Sequence, residues 1–174
     1  SVRSDLEPYT REHGLASTPA AFSMEAYRVV SRITGIADPY AEKKRLHNTH
    51  ARRLAQAIEA EIAAGPDPFL AALRFALAGN MVDLGTREAI DVAGDVRGAA
   101  AKPLAVDHAT ALADAAARAR EVLYIADNAG EIVFDALFAR RIAGINGARI
   151  VFAVKSGPIL NDATRADARA CGID

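Results

Sequence analysis

The chain has 174 residues, 51% apolar and 25% charged, and a formal net charge of −1; one domain of this length buries roughly 70% of its extended surface, so no disulfide or structural metal is required. The near-neutral charge argues against bulk attraction to nucleic acid or anionic membranes, and a lone cysteine, Cys171, excludes an intramolecular disulfide and a cysteine cage around zinc. No apolar stretch approaches the roughly 18 residues that span a membrane, the first 30 residues do not read as a signal peptide, and a reduced, cytoplasmic setting is the expectation.

The first two-thirds reads as helices. Thr18-Pro19, Asp38-Pro39 and Asp67-Pro68 each pair a capping side chain with a proline suited to the first helical position. Phe22, Ala26, Val29 and Ile33 then recur at helical spacing up to Gly35. After Pro39 the spacing predicts a longer helix to about Ala64, with Leu54, Ile58 and Ile62 as its apolar row and Gly65-Pro66 as its break. The basic run Lys43, Lys44, Arg45, His47, His50, Arg52 and Arg53 reads as a solvated face, from which one or two members could reach a substrate phosphate. Residues 69–78 are nearly all apolar, which predicts the most deeply buried helix of the chain. At its end, Asn80 and Asp83 either satisfy the backbone or line a crevice. Asp107 looks like the cap of a helix through Leu112, Ala116 and Ala119.

The pattern changes at residue 121. Residues 122–126 form a short apolar run with turn chemistry behind it, as in a buried parallel strand. A helix is expected from Glu131 to Ala143, with Arg140 and Arg141 in its last turn and Gly144 past its end. Asn146-Gly147 makes a turn, residues 150–154 read as a second buried strand, and a last helix ends near Cys171-Gly172. Strand, helix, strand, helix implies a right-handed parallel crossover. Because two parallel strands make no stable sheet, the sheet is expected to be completed by a missing C-terminal segment or by another chain.

In an open parallel sheet, ligands bind beyond the carboxyl ends of the strands. Asp127-Asn128-Ala129-Gly130-Glu131 follows the first strand and residues 155–162 follow the second. Asp127, Asn128 and Asp162 would supply two carboxylates and an amide oxygen, a hard set suited to Mg²⁺ or Mn²⁺. Two helix N-termini aimed at the same crevice would favour a phosphate. The plainer alternative stays open: Asn128 with Glu131 is also a capping box, and Asp162 an ordinary N-cap. His13, His47, His50 and His108 have no convincing metal-ligand spacing, Cys171 reads as packing, and no serine elbow, Walker loop or GxGxxG turn is present.

These residues also carry a resemblance. Asp-Asn-Ala-Gly-Glu at 127–131 with Ile132-Val133-Phe134-Asp135 resembles the signature of the DUF89, or ARMT1-like, metal-dependent damage-control phosphatases. Lys155-Ser156-Gly157-Pro158 with Asn161-Asp162-Ala163-Thr164 and Asp167 is similar to that family's second motif. Gly79-Asn80 with Asp83 resembles a third, and Asp38-Pro39-Tyr40 with Lys43 or Lys44 and Asn48 a fourth. The order and spacing agree from about residue 20 to the end.

The resemblance implies an α/β protein: a helical N-terminal portion followed by an αβα sandwich with a mainly parallel sheet, divided here as residues 1–106 and 107–174. It implies hydrolysis of phosphate monoesters of small metabolites such as sugar phosphates, with a divalent metal (Mg²⁺ or Mn²⁺, with Co²⁺ or Ni²⁺ as further candidates). Carried over, Asp127, Asn128 and Asp162 are the metal and catalytic residues, and Asn80, Asp83, Glu131 and Lys155 contact substrate or water. Many compact members begin with a closely spaced cysteine pair, absent here, and continue past the second motif into further strands and a glycine-rich segment with a phosphate-contacting lysine. The expected partner is a small phosphorylated metabolite, with no nucleic acid and no membrane. A non-catalytic phosphometabolite-binding or regulatory module using the same crevice is the alternative. A third reading is a helical interaction domain in which residues 127–131 only cap a helix.

Overall fold

The computed structural model describes residues 1–81 and 92–173, and within them the three proline signals open three consecutive elements in different ways. Helix α1 (Val2–His13) comes first and buries no residue. Helix α2 (Pro19–Thr34) starts behind Thr18, whose hydroxyl accepts the Ala21 N–H at 3.2 Å, and ends on Gly35 in the left-handed region at φ 73°. Helix α3 (Ala41–Ala64) begins later than Asp38-Pro39 suggests. Asp38 turns one carboxylate oxygen onto the Tyr40 N–H at 2.9 Å and gives the other to Lys44 at 2.8 Å. Helix α4 (Pro68–Met81) follows the expected form, with Asp67 accepting the Leu70 N–H at 2.9 Å.

The buried stripe of α3 corrects the reading of the basic run. Ala51, Ala55, Ile58 and Ile62 form its apolar half, Leu54 being only half-buried, and the same helical period continues backward through Lys44, His47 and Asn48. Lys44 and His47 are therefore interior, while Arg45, His50, Arg52 and Arg53 face solvent as expected.

Helix α5 (Val92–Ala100) and helix α6 (Ala109–Arg118) come next. Asp107 does accept the Ala109 N–H at 3.0 Å, but His108 holds the cap position and Ala116, not Leu112, is the buried residue of α6. Strands β1 (Glu121–Ile125) and β2 (Arg149–Ala153) pair in parallel, with Glu121 opposite Arg149 and Ile125 opposite Ala153, across helix α7 (Glu131–Asn146). Helix α8 (Arg165–Ala170) closes the order. The chain is thus α/β, mostly helical, with a small two-stranded parallel sheet. Among the described residues no helix is long and apolar enough to cross a membrane.

Three local expectations change. The deepest helix is α7, not α4: it buries Ile132 through Ala139 and Ile142, because α3, α4 and α6 all pack on it and β2 lies alongside. By contrast α4 leaves Leu77 exposed. Helix α7 also runs past Gly144 to a left-handed Gly147. Its extra turn is held by Asn146, whose amide donates to the carbonyls of Ala116, Ala117 and Ala119 at 3.2, 2.9 and 2.8 Å. Finally, the strands are not buried on both faces. Val122 and Tyr124 pack against the core, whereas Leu123 and Ile125 are 63% and 74% exposed, since their face is left open among the described residues.

One hydrophobic cluster joins α3 and α4 to α7, with Phe134 fully buried at its centre. A Cβ added at Gly79 would lie 2.7 Å from Phe134 Cδ2, so the missing side chain is what lets the end of α4 approach α7. Gly79→Ala should cost about 1–3 kcal/mol through overpacking, read as a lower urea midpoint at unchanged m-value.

A polar contact ties β1 to the same helix: Tyr124 Oη donates to Asp135 Oδ1 at 2.7 Å. Burial pushes the Asp135 carboxyl up to about 7; the Tyr124 hydrogen bond pulls the other way, and the charges of Glu131 and Asp127 add to the rise. In the unfolded chain the same group titrates near ~3.9. The folded state therefore binds the extra proton between these values, and stability falls as pH rises through that window. Asp135→Asn should remove this component, so its melting temperature relative to the parent protein should improve from pH 5 to pH 8.

Candidate functional site

Beyond the carboxyl ends of β1 and β2, backbone pairing draws the two loops together. Asn128 and Asp162 form an antiparallel bridge, and Lys155 and Thr164 a parallel one. Ala129 N–H donates to Asn161 O at 2.8 Å, Ala163 N–H to Asp127 O at 2.7 Å, and Lys155 N–H to Ala163 O at 3.0 Å. Neighbouring parallel strands lie about 5 Å apart, and these bonds extend that closeness past the strand ends.

Neither loop side chain is used as a cap. The N-cap of α7 is Gly130, at φ 87°, with no side-chain hydrogen bond. The N-cap of α8 is Thr164, which forms a capping box with Asp167, so Asp162 does not cap that helix. The plainer reading of Asn128 and Asp162 is thereby removed.

Around this bridge the polar groups are unevenly matched. Asn128 donates its amide to Asp127 Oδ2 and to Glu131 Oε2, both at 3.0 Å. Asn80, in the last turn of α4, donates to Glu131 Oε1 at 2.8 Å. With its NH₂ engaged on both carboxylates, the amide oxygen is the end of Asn128 left to face a cation. Lys155 Nζ lies 3.3 Å from Asp162 Oδ2. Burial pushes the Asp162 carboxyl up and Asp127 adds to the rise, while Lys155 opposes both.

The structure thus brings together Asp127, Asn128, Glu131, Asn80, Lys155 and Asp162, while Asp83 lies outside the described residues. No three His, Cys, Asp or Glu side chains cluster as a metal site among the described residues. Two carboxylates and an amide oxygen nevertheless fit a hard divalent ion that keeps several waters. At the start of α7, Gly130 N–H is taken by Asn48 Oδ1 at 2.7 Å, and Ala129, Ile132 and Val133 donate to backbone carbonyls. Lys155 is a cationic group at this rim.

Behind the loops lies a layer built from residues of the fourth motif and from Asp167 of the second, which the sequence reading named without foreseeing that they pair with each other. Asn48 also donates to Asp167 Oδ1 at 2.9 Å. Asp167 Oδ2 accepts from Thr164 N–H at 2.9 Å, from Thr164 Oγ1 at 2.7 Å and from Lys44 Nζ at 3.2 Å. Although burial raises the Asp167 carboxyl, these donors bring it below the ordinary range. The available signal was periodic: Lys44 and Asn48 continue the buried stripe of α3, a position where solvated charges do not belong.

Comparison with known proteins places this arrangement. Residues 3–174 match the model of the damage-control phosphatase ARMT1-like domain. The damage-control phosphatase PH1575 of Pyrococcus horikoshii is 30% identical over 165 residues, 94% of this chain and 56% of that protein. A damage-control phosphatase of Archaeoglobus fulgidus is 30% identical over 159 residues, 89% of this chain and 54% of that protein. The crystal structure of the Pyrococcus horikoshii DUF89 protein PH1575 superposes with a TM-score of 0.78 at 32% identity, covering 87% of this chain and 52% of that one. The chain spans about half the length of the curated relatives it matches. It belongs to the ARMT1-like, or DUF89, damage-control phosphatase family.

Proposed function

We propose that the chain carries the metal-binding half of a divalent-metal-dependent phosphatase acting on phosphate monoesters of small metabolites such as sugar phosphates. The observation that carries this reading is the pairing of Asn128 with Asp162, which unites Asp127, Asn128 and Asp162 in one cluster after freeing them from capping. Relatives named damage-control phosphatases support the reaction class.

Asp127, Asn128 and Asp162 would hold Mg²⁺ or Mn²⁺, with Co²⁺ or Ni²⁺ as substitutes. A divalent ion there supplies a polarised phosphoryl oxygen and neutralises charge developing on the transferred group. The chain's own residues do the rest. Glu131, steadied by Asn80 and Asn128, orients water or a substrate hydroxyl. Lys155, 3.3 Å from Asp162, would contact the phosphate when that carboxylate serves the ion. Asp127 faces solvent, so it is accessible to substrate. The open face of Leu123 and Ile125 supports a further layer packed over that side of the sheet, from the same polypeptide or another chain.

Asp127→Ala in the full-length protein should abolish both Mn²⁺ binding by calorimetry and hydrolysis across a panel of sugar phosphates. Wild-type hydrolysis in that variant would sink the assignment. A wild-type protein that binds these phosphates with Mn²⁺ but returns them unchanged would instead be a phosphometabolite-binding module. Lys155→Ala should raise KM at least tenfold with little change in Mn²⁺ affinity, as expected for a phosphate contact outside the metal set.

A further inference from the structure

We infer that Asn48 is a positioning residue that locks the two loops of the site to each other, an inference that rests on the metal reading of those loops. Asn48 stands on α3, far from both loops in sequence, and is 3% exposed. Its two amide ends are divided between them. Oδ1 accepts the N–H of Gly130 at 2.7 Å, and Nδ2 donates to Asp167 Oδ1 at 2.9 Å.

Each contact meets its loop at the point that determines where the site residues go. Gly130 sits between Asn128 and Glu131, with φ 87° and ψ −54°, in the left-handed half of the map that favours glycine. Its N–H precedes the first residue of α7, so the hydrogen bond from Asn48 sets the direction in which the chain enters the helix. On the other side, Asp167 holds both the backbone N–H and the hydroxyl of Thr164, two residues beyond Asp162. Lys44 fixes Asp167 from behind at 3.2 Å and is itself fixed by Asp38 at 2.8 Å. Asn48 is therefore a second bridge, behind the direct backbone bonds between the loops, that ties the Asp127-Asn128 side to the helix following Asp162. An isosteric leucine would leave the Gly130 donor and one Asp167 oxygen unanswered in the interior. An aspartate would keep the Gly130 acceptor but face Asp167 with a second carboxylate.

That last point supplies a discriminating pair. Asn48→Asp alone should disrupt the bridge. Combined with Asp167→Asn it should restore it, because the amide then sits at position 167 and donates to the new carboxylate, while its oxygen still accepts from Thr164 and Lys44. Three properties are measured on the full-length protein, wild type and variants: amide hydrogen exchange at Gly130, Mn²⁺ affinity by calorimetry, and kcat and KM with a sugar phosphate. In Asn48→Ala, which alone removes the Gly130 acceptor, Gly130 exchange should accelerate at least tenfold; in both Asn48→Ala and Asn48→Asp, Mn²⁺ affinity should fall about 10- to 100-fold, the usual effect of removing an outer-layer partner. The loss should appear in kcat more than in KM, and the double exchange should recover most of both effects.

Wild-type Gly130 exchange in Asn48→Ala would overturn the inference. So would unchanged Mn²⁺ affinity, since Asn48 would then be only a packing element. Should Asn48→Ala fail to fold, the single and double exchanges decide the matter alone. If the wild-type protein takes no Mn²⁺, the metal reading fails and this inference with it; loss of binding confined to the variants leaves that reading intact.

Discussion

A buried ammonium organises the interior of this chain. Lys44 is 3% exposed and touches carboxylates of both Asp38 and Asp167. Removing such charges from water costs several kcal/mol per ion, recovered only when every remaining donor and acceptor is met. The carboxylates are well supplied here: Asp167 receives Lys44, Asn48 and both donors of Thr164, and Asp38 receives Lys44 and the Tyr40 N–H. Because an incomplete network would strand a charge in the interior, the arrangement tolerates little variation. Helix α3 is thereby held in one relation to α8 and to the loop that enters α7.

The groups facing outward obey the opposite rule. Asp127 and Glu131 share the amide group of Asn128, Glu131 also receives Asn80, and Asp162 pairs with Lys155. The inner layer is satisfied and rigid, whereas the outer layer keeps an excess of negative oxygen. Such a contrast suits a site whose balance is restored by an incoming cation, held on a frame that needs no reorganisation. Family membership and this geometry agree in direction, although they come from separate observations: a match over residues 3–174 and a set of side-chain distances.

Much of this was readable in the sequence, and the unreadable part has a physical pattern. Proline with a capping residue marked α2 and α4 because both signals act within one turn. The two apolar runs marked β1 and β2, and the acidic loops behind them followed from parallel topology. Most of the larger failures involve partners distant along the chain. The extra turn of α7 depends on carbonyls of α6. The burial of Lys44 depends on Asp167, and the depth of α7 on the helices stacked around it. Capping was misassigned for a related reason: Asn128 and Thr164 both follow local rules, and only tertiary contacts decide which side chain is free to cap. Asp83, expected beside Asn80, lies outside the described residues.

The contact between Lys44 and Asp167 spans 123 positions of the chain, and that between Asn48 and Asp167 spans 119. Contacts of such separation form late, because the loop entropy must be overcome before they return anything. During synthesis, residues 127–131 therefore leave the ribosome before the partner that steadies them through Asn48 exists. The nascent loop has its acidic side chains before the layer that positions them is complete, so its geometry belongs to the finished fold rather than to the local sequence.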